Sequence, residues 1–126
     1  MLINLSNHPS ANWPSQQLDA AVRAFGNIMD LPFPDVDPSG NEEYIRELCE
    51  AYLQKIDDIC RDTGCSISTV TVHIMGEMTC TFAIVNALQK RGVTCVASTT
   101  ERVSSVENGV RTSVFRFVQF RKYLTD

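Results

Sequence analysis

The chain has 126 residues, 44% of them hydrophobic and 21% charged, which is enough for one buried core and predicts a single domain over residues 1–126. No apolar run approaches the ~20 residues that span a bilayer, and Met1–Leu5 is too short for a signal sequence, so a cytoplasmic protein without a membrane partner is expected. The net charge of −4 is unevenly spread, with −8 over residues 1–89 and +4 over residues 90–126. That disfavours long nucleic acid as a partner. It leaves one face able to attract a small polyanion, or equally marks the gatekeeping charges of a solvated edge strand.

Leu2–Leu5 reads as a short buried strand ending in the polar loop Ser6–Ser10. A first helix is expected from an N-cap at Ser15, with Leu18, Ala21, Val22 and Phe25 on its apolar side and Gly26 as its stop. Asn27–Phe33 reads as a second strand closed by Pro32 and Pro34. Ser39 and Glu42 fit a capping box for the longest helix, whose stripe Ile45, Leu48, Tyr52, Ile56 and Ile59 ends before Gly64.

Val70–Met75 is β-branched and apolar, breaks at Gly76, and restarts as a helix over about Thr79–Lys90 with Phe82, Val85 and Leu88 inward. Val93–Ser98 is a fourth strand running on through Thr99–Arg102. Asn108-Gly109 between two extended runs is a strong hairpin signal. In the last strand, Arg111–Tyr123, alternation puts Phe115 and Phe117 on one side and Val114, Val118 and Phe120 on the other.

The order β-α-β-α-β-α-β-β predicts an α/β fold: a small Rossmann-like three-layer sandwich, its mostly parallel sheet ordered 2-1-3-4-5 and ending in an antiparallel C-terminal edge hairpin. The first and third strands are then neighbours, and their carboxyl ends form the crevice where ligands bind in such sheets. A two-residue turn at Asn108-Gly109 also pairs Glu101 with Arg116, which makes Glu101 structural and leaves Arg102 free to face a ligand.

Loops 6–10, 76–81 and 98–102 converge on that crevice. They bring Ser6, Asn7, His8, Gly76, Glu77, Thr79, Thr81, Ser98, Thr99, Thr100 and Arg102 together: neutral donors, a helix N-terminus, an imidazole, a carboxylate and a guanidinium. Such a set suits phosphate and ribose. Each member also has a plain reading. Ser6–Pro9 fits a turn, Thr79 fits an N-cap, and Glu77 serves equally as dipole complement, general base or ribose acceptor. His73 alternates within an apolar strand and reads as a hydrogen-bonded core residue.

No GxGxxG, P-loop or nucleophile elbow is present, so any catalysis is expected to work by positioning, without cofactor. Five cysteines without a CxxC pair argue against disulfides and zinc, and with two histidines no metal is expected; Cys49, Cys60, Cys80 and Cys95 sit in apolar patterns and read, with Cys65, as reduced.

On the segments Leu-Ile-Asn-Leu-Ser-Asn-His-Pro at 2–9, His-Ile-Met-Gly-Glu-Met-Thr at 73–79 and Ala-Ser-Thr-Thr-Glu-Arg at 97–102, the chain resembles small standalone proteins of type III CRISPR systems. These are related to the CRISPR-associated Rossmann (CARF) domains, which bind cyclic oligoadenylates across a two-fold dimer. The resemblance implies a homodimer binding cyclic oligoadenylate, cyclic tetra-adenylate first, in antiviral defence.

It further implies a ring nuclease that opens the messenger by metal-free attack of a ribose 2′-hydroxyl. His8 is then the candidate base or acid and Glu77 the alternate, with Arg102 and Thr79 stabilising charge. Ring nucleases typically carry a lysine or arginine near the helix that follows Gly76. None stands there, so a non-catalytic binder or sensor is the alternative, and an interaction subunit using its edge hairpin a further one.

Overall fold

A central strand carries its side chains into two layers, and Leu2–Ser6 (β1) is buried at every position. The computed structural model describes residues 1–125 and builds around β1 a five-stranded sheet ordered β2-β1-β3-β4-β5. The other strands are Ile28–Pro32 (β2), Thr71–Met75 (β3), Thr94–Glu107 (β4) and Val110–Lys122 (β5). β1 runs parallel to β2 and β3, β3 parallel to β4, and β5 returns antiparallel to β4. The helices are Ser15–Phe25 (α1), Glu42–Thr63 (α2) and Met78–Lys90 (α3). The predicted α/β architecture, strand order and edge hairpin are all present. Among the described residues no helix is long and apolar enough to cross a membrane.

One face of the sheet holds the larger core. Ile3, Leu5, Val72, Ile74 and Cys95 meet Leu53 and Ile56 of α2 and Ile84, Val85 and Leu88 of α3. Each fully buried aliphatic side chain contributes roughly 1.5–3 kcal/mol. The other face is covered by α1 and Trp13 in the loop before it, where Leu2, Trp13, Ala21 and Val96 pack with Phe25, Ile28 and Phe120. The imbalance follows from connectivity: β4 returns directly as β5, so no second helix lies beside α1.

Several helix faces differ from their expected aim. The centre of the α2 stripe is Cys49, Leu53, Ile56 and Cys60, with Ile45, Leu48, Tyr52 and Ile59 at its flanks. α3 buries Cys80, Ile84, Val85 and Leu88 but leaves Phe82 71% exposed, and on α1 Val22 and Leu18 are exposed while Gln17 and Ala21 are buried. A 3.6-residue period defines a stripe, and the partner layer decides which edge of it is covered.

The caps differ too. Asn41, not Ser39, caps α2 by accepting the Tyr44 N–H at 3.0 Å, because the Ser39 hydroxyl is spent on Asp37 Oδ1 at 2.8 Å. Ser15 is the first residue of α1 and Pro14 its cap, while β2 starts and stops one residue inside the expected Asn27–Phe33.

The hairpin is longer than the sheet that roots it. Thr94–Val96 pair with β3, and from Ala97 onward β4 pairs with β5 only. Asn108 and Gly109 have φ of 51° and 77°, the left-handed pair a type I′ turn requires. Glu101 faces Arg116 as expected; at 3.7 Å with both side chains more than half exposed, the pair adds between 0 and about 1 kcal/mol. The alternation breaks at one point. Thr99 pairs with Gln119 but Thr100 with Phe117, so Val118 is an extra, bulged residue. The bulge turns Phe120 to the same side as Phe117, ring centroids 5.0 Å apart, instead of opposite it.

Candidate functional site

The carboxyl ends of β1, β3 and β4 enclose a cavity of about 540 Å³ on the α1 side of the sheet. Ser6, Asn7 and His8 form one wall, Met75 and Gly76 the floor's end, Ser98 and Thr100 the opposite wall, and Trp13 with Gln17 the rim under α1. Six of the expected residues therefore converge here: Ser6, Asn7, His8, Gly76, Ser98 and Thr100. Gly76 is required for space. A Cβ there would enter the ring of buried Phe33, which packs across the turn after β3.

A buried hydrogen-bond network centred on Asn4, a residue outside the expected site, holds the cavity floor. Asn4, 1% exposed, donates through Nδ2 to the His8 carbonyl and to Asp30 Oδ1, both at 2.9 Å. Its Oδ1 accepts from Ser6 Oγ at 2.8 Å and faces His73 Nδ1 at 2.9 Å. His73 Nε2 lies 3.2 Å from Ser98 Oγ. Trp13 Nε1 donates to the same His8 carbonyl at 3.0 Å and packs edge-on against the His73 ring, with centroids 5.3 Å apart.

His73 is thus the hydrogen-bonded core residue expected, and it also lines the cavity. Burial, then the nearby His8, pushes its pKa down to about 4, so the ring is neutral at neutral pH. The sequence signal for Asn4 was a polar residue inside an otherwise apolar central strand, which must find partners when buried.

The remaining expected residues lie elsewhere. Glu77 is the N-cap of α3: its carboxylate accepts the Thr79 N–H at 3.0 Å, the Cys80 N–H at 2.8 Å and the Thr79 hydroxyl at 2.7 Å. The Cys80 N–H, then the Thr79 hydroxyl and N–H, hold this carboxyl below its ordinary value. The expected anion site at this helix N-terminus is therefore filled by the protein's own carboxylate. Thr79, expected as either cap or ligand group, is a partner of the cap.

Both residues line a separate groove with Asp37, Asn41 and Ile45, away from His8. Thr99 donates to the Gln119 carbonyl at 3.2 Å, and Arg102 reaches Ser113 Oγ at 3.1 Å along the hairpin. Thr81 is buried in α3 with its hydroxyl unpartnered. It borders an apolar hollow of about 330 Å³ formed by Met75, Gly76, Met78, Phe82, Val85 and Tyr123. Met75 and Gly76 belong to both spaces, so the hollow and the polar cavity meet around the end of β3.

Chemically, the arrangement offers neutral hydrogen-bonding groups on one side of Gly76 and an apolar slot on the other, with one imidazole, His8, on the solvent side. Among the described residues no lysine or arginine lines the cavity. Neither the curated proteins nor the solved structures include a match to the chain. One family profile matches residues 1–121, almost its whole length, and the chain accordingly belongs to the uncharacterized protein MJ1673 family.

Proposed function

We propose that the protein binds a cyclic oligoadenylate, cyclic tetra-adenylate in the first instance, as a cytoplasmic homodimer of CRISPR-associated antiviral defence. The observation that carries this reading is the junction at Met75–Gly76. The polar cavity offers hydroxyls and amides suited to ribose and phosphate, and the adjoining hollow offers methionine and phenylalanine surfaces suited to a purine ring. Positive charge is concentrated on the hairpin, which carries Arg102, Arg111, Arg116, Arg121 and Lys122 on an acidic molecule. The dimer is supported by the same hairpin, whose Val103, Val106, Val110, Val114, Phe115 and Val118 are all exposed. An uncovered two-stranded ribbon is marginal in water, and a second copy covers it.

Ring opening is the second reading, favoured by His8 at the cavity wall. The 2′-oxygen attacks the adjacent phosphorus, the 5′-oxygen leaves with a proton, and a linear product with a 2′,3′-cyclic phosphate results. The commitment of Glu77 to its cap and the absence of a cavity cation favour binding over cleavage. Incubating the protein with radiolabelled cyclic tetra-adenylate in chelator tests both. Retarded, intact ring supports binding; linear cyclic-phosphate product supports cleavage; a ring neither retarded nor cut refutes both. Asn7→Ala and Thr100→Ala should each weaken binding by about 2- to 10-fold, the loss of one neutral hydrogen bond.

A further inference from the structure

Hydrogen-bond accounting fixes the polarity of one cavity wall. The Asn4 amide has a single possible orientation. Flipping it would turn its oxygen toward the His8 carbonyl and the Asp30 carboxylate, two groups that only accept. Oδ1 therefore faces His73, and Nδ1 of the imidazole must carry the proton that bridges the 2.9 Å between them. A neutral imidazole has one N–H, so Nε2 is a bare acceptor. The Ser98 hydroxyl, 3.2 Å away, then donates to it. Ser98 has one other acceptor in reach, the Met75 sulfur at 3.1 Å, and thioethers accept weakly. In both arrangements the hydroxyl proton stays on a protein acceptor, and turning it toward the cavity would leave Nε2 without a donor. With its proton so placed, Ser98 offers the cavity lone pairs.

We infer that Ser98 reads a hydrogen-bond donor on the bound molecule, a hydroxyl or an amine, and rejects an acceptor at that point. The inference rests on the proposed cyclic oligoadenylate site for its choice of probe, though not for the polarity itself. Such a ring has two donors to present, the ribose 2′-hydroxyl and the adenine amino group. Asn4, His73 and Asp30 are positioning residues in this scheme, since they act on the ligand through Ser98.

The experiment compares cyclic tetra-adenylate with its 2′-fluoro analogue, an acceptor in place of the hydroxyl, and with cyclic tetra-inosinate, an oxo group in place of the amine. Each is titrated against the intact protein and against Ser98→Ala. One analogue should bind the intact protein about 3- to 10-fold more weakly than the native ring, a gap that closes in Ser98→Ala. The weakened analogue names the donor. Both analogues binding as well as the native ring would overturn the inference.

The polarity is tested without ligand by the ring nitrogen resonances of the two histidines, assigned with His73→Asn. A protonated Nδ1 and a bare Nε2 are expected for His73, and a protonated Nε2 at neutral pH would overturn the inference. If no ring binds at all, the ring-ligand reading fails and these resonances alone decide the polarity of Ser98.

Discussion

Lowering the pH should unload the domain through His73 before its carboxylates respond. In the unfolded chain the imidazole titrates near 6.5, and in the folded protein burial holds it down to about 4. Between these values the unfolded state takes up a proton that the folded state refuses. The stability due to a neutral His73 is therefore fully present above pH 6.5, is lost as the pH falls, and stops falling below about 4. One pKa unit is worth about 1.4 kcal/mol, so the drop from neutral pH to pH 5 is roughly 2 kcal/mol and the whole window roughly 3 kcal/mol.

Asp37 and Glu77, whose carboxyls lie below their ordinary values of 3.8 and 4.5, act in the same direction but at lower pH. Urea denaturation of the wild type and of His73→Asn at pH 7.5, 6.0 and 5.0 isolates the histidine. The groups facing the ring are Asn4, Ser98, Trp13, Phe120 and His8, and all are unchanged in the variant. The wild type should lose stability across that range and the variant should stay nearly level. Equal slopes would refute the claim that the buried ring is kept neutral.

Gly76→Ala should cost about 1–3 kcal/mol in the same assay, because the added methyl meets the Phe33 ring; an unchanged midpoint would show that the turn has room. Of the five cysteines only Cys65 should react quickly with a disulfide reagent in the folded protein. Cys80 and Cys95 are buried with thiols pushed up to about 11 and about 12, and Cys49 and Cys60 are raised by the same cause. Release of two or more thiols in the fast phase would contradict this packing. Glu77→Ala should lower the melting temperature while leaving cyclic tetra-adenylate binding unchanged, and lost binding in a folded variant would return Glu77 to the ligand site. Replacing Val114 and Phe115 together by threonine should shift a dimer toward monomer in sedimentation, and a wild type that sediments as a monomer would remove the proposed role of the ribbon.

Strand order and pairing were legible because they rest on local signals that tertiary packing reinforces: glycines after helices, a β-branched run before Gly76, and Asn108-Gly109 setting the register of the eight residue pairs between the turn and the bulge. The bulge at Val118 was not legible, since an extra residue in an alternating strand carries no composition mark, and it reversed the side assigned to Phe120. The candidate site was legible as a location. Ser6, Asn7, His8, Gly76, Ser98 and Thr100 meet because strand order alone brings their loops together. Roles were harder to read. A carboxylate before a helix looks the same in sequence whether it caps or catalyses, and only the hydrogen bonds of Glu77 separate the two. Asn4 was hidden for the opposite reason: its partners, Asp30 and His73, are remote in sequence.

The uneven covering of the sheet has a dynamic consequence. Among the described residues, sixteen buried hydrophobic ones bind α2 and α3 to one face, whereas four hold α1 to the other. Amides of α1 should then exchange with solvent through a partial opening well below the global unfolding free energy, while those of α2, α3 and β1 wait for complete unfolding. A molecule held between Trp13 and Ser98 would bridge the loosely attached layer to the sheet. Its arrival would register first as slowed exchange along α1, making that helix the part of the domain that reports occupancy.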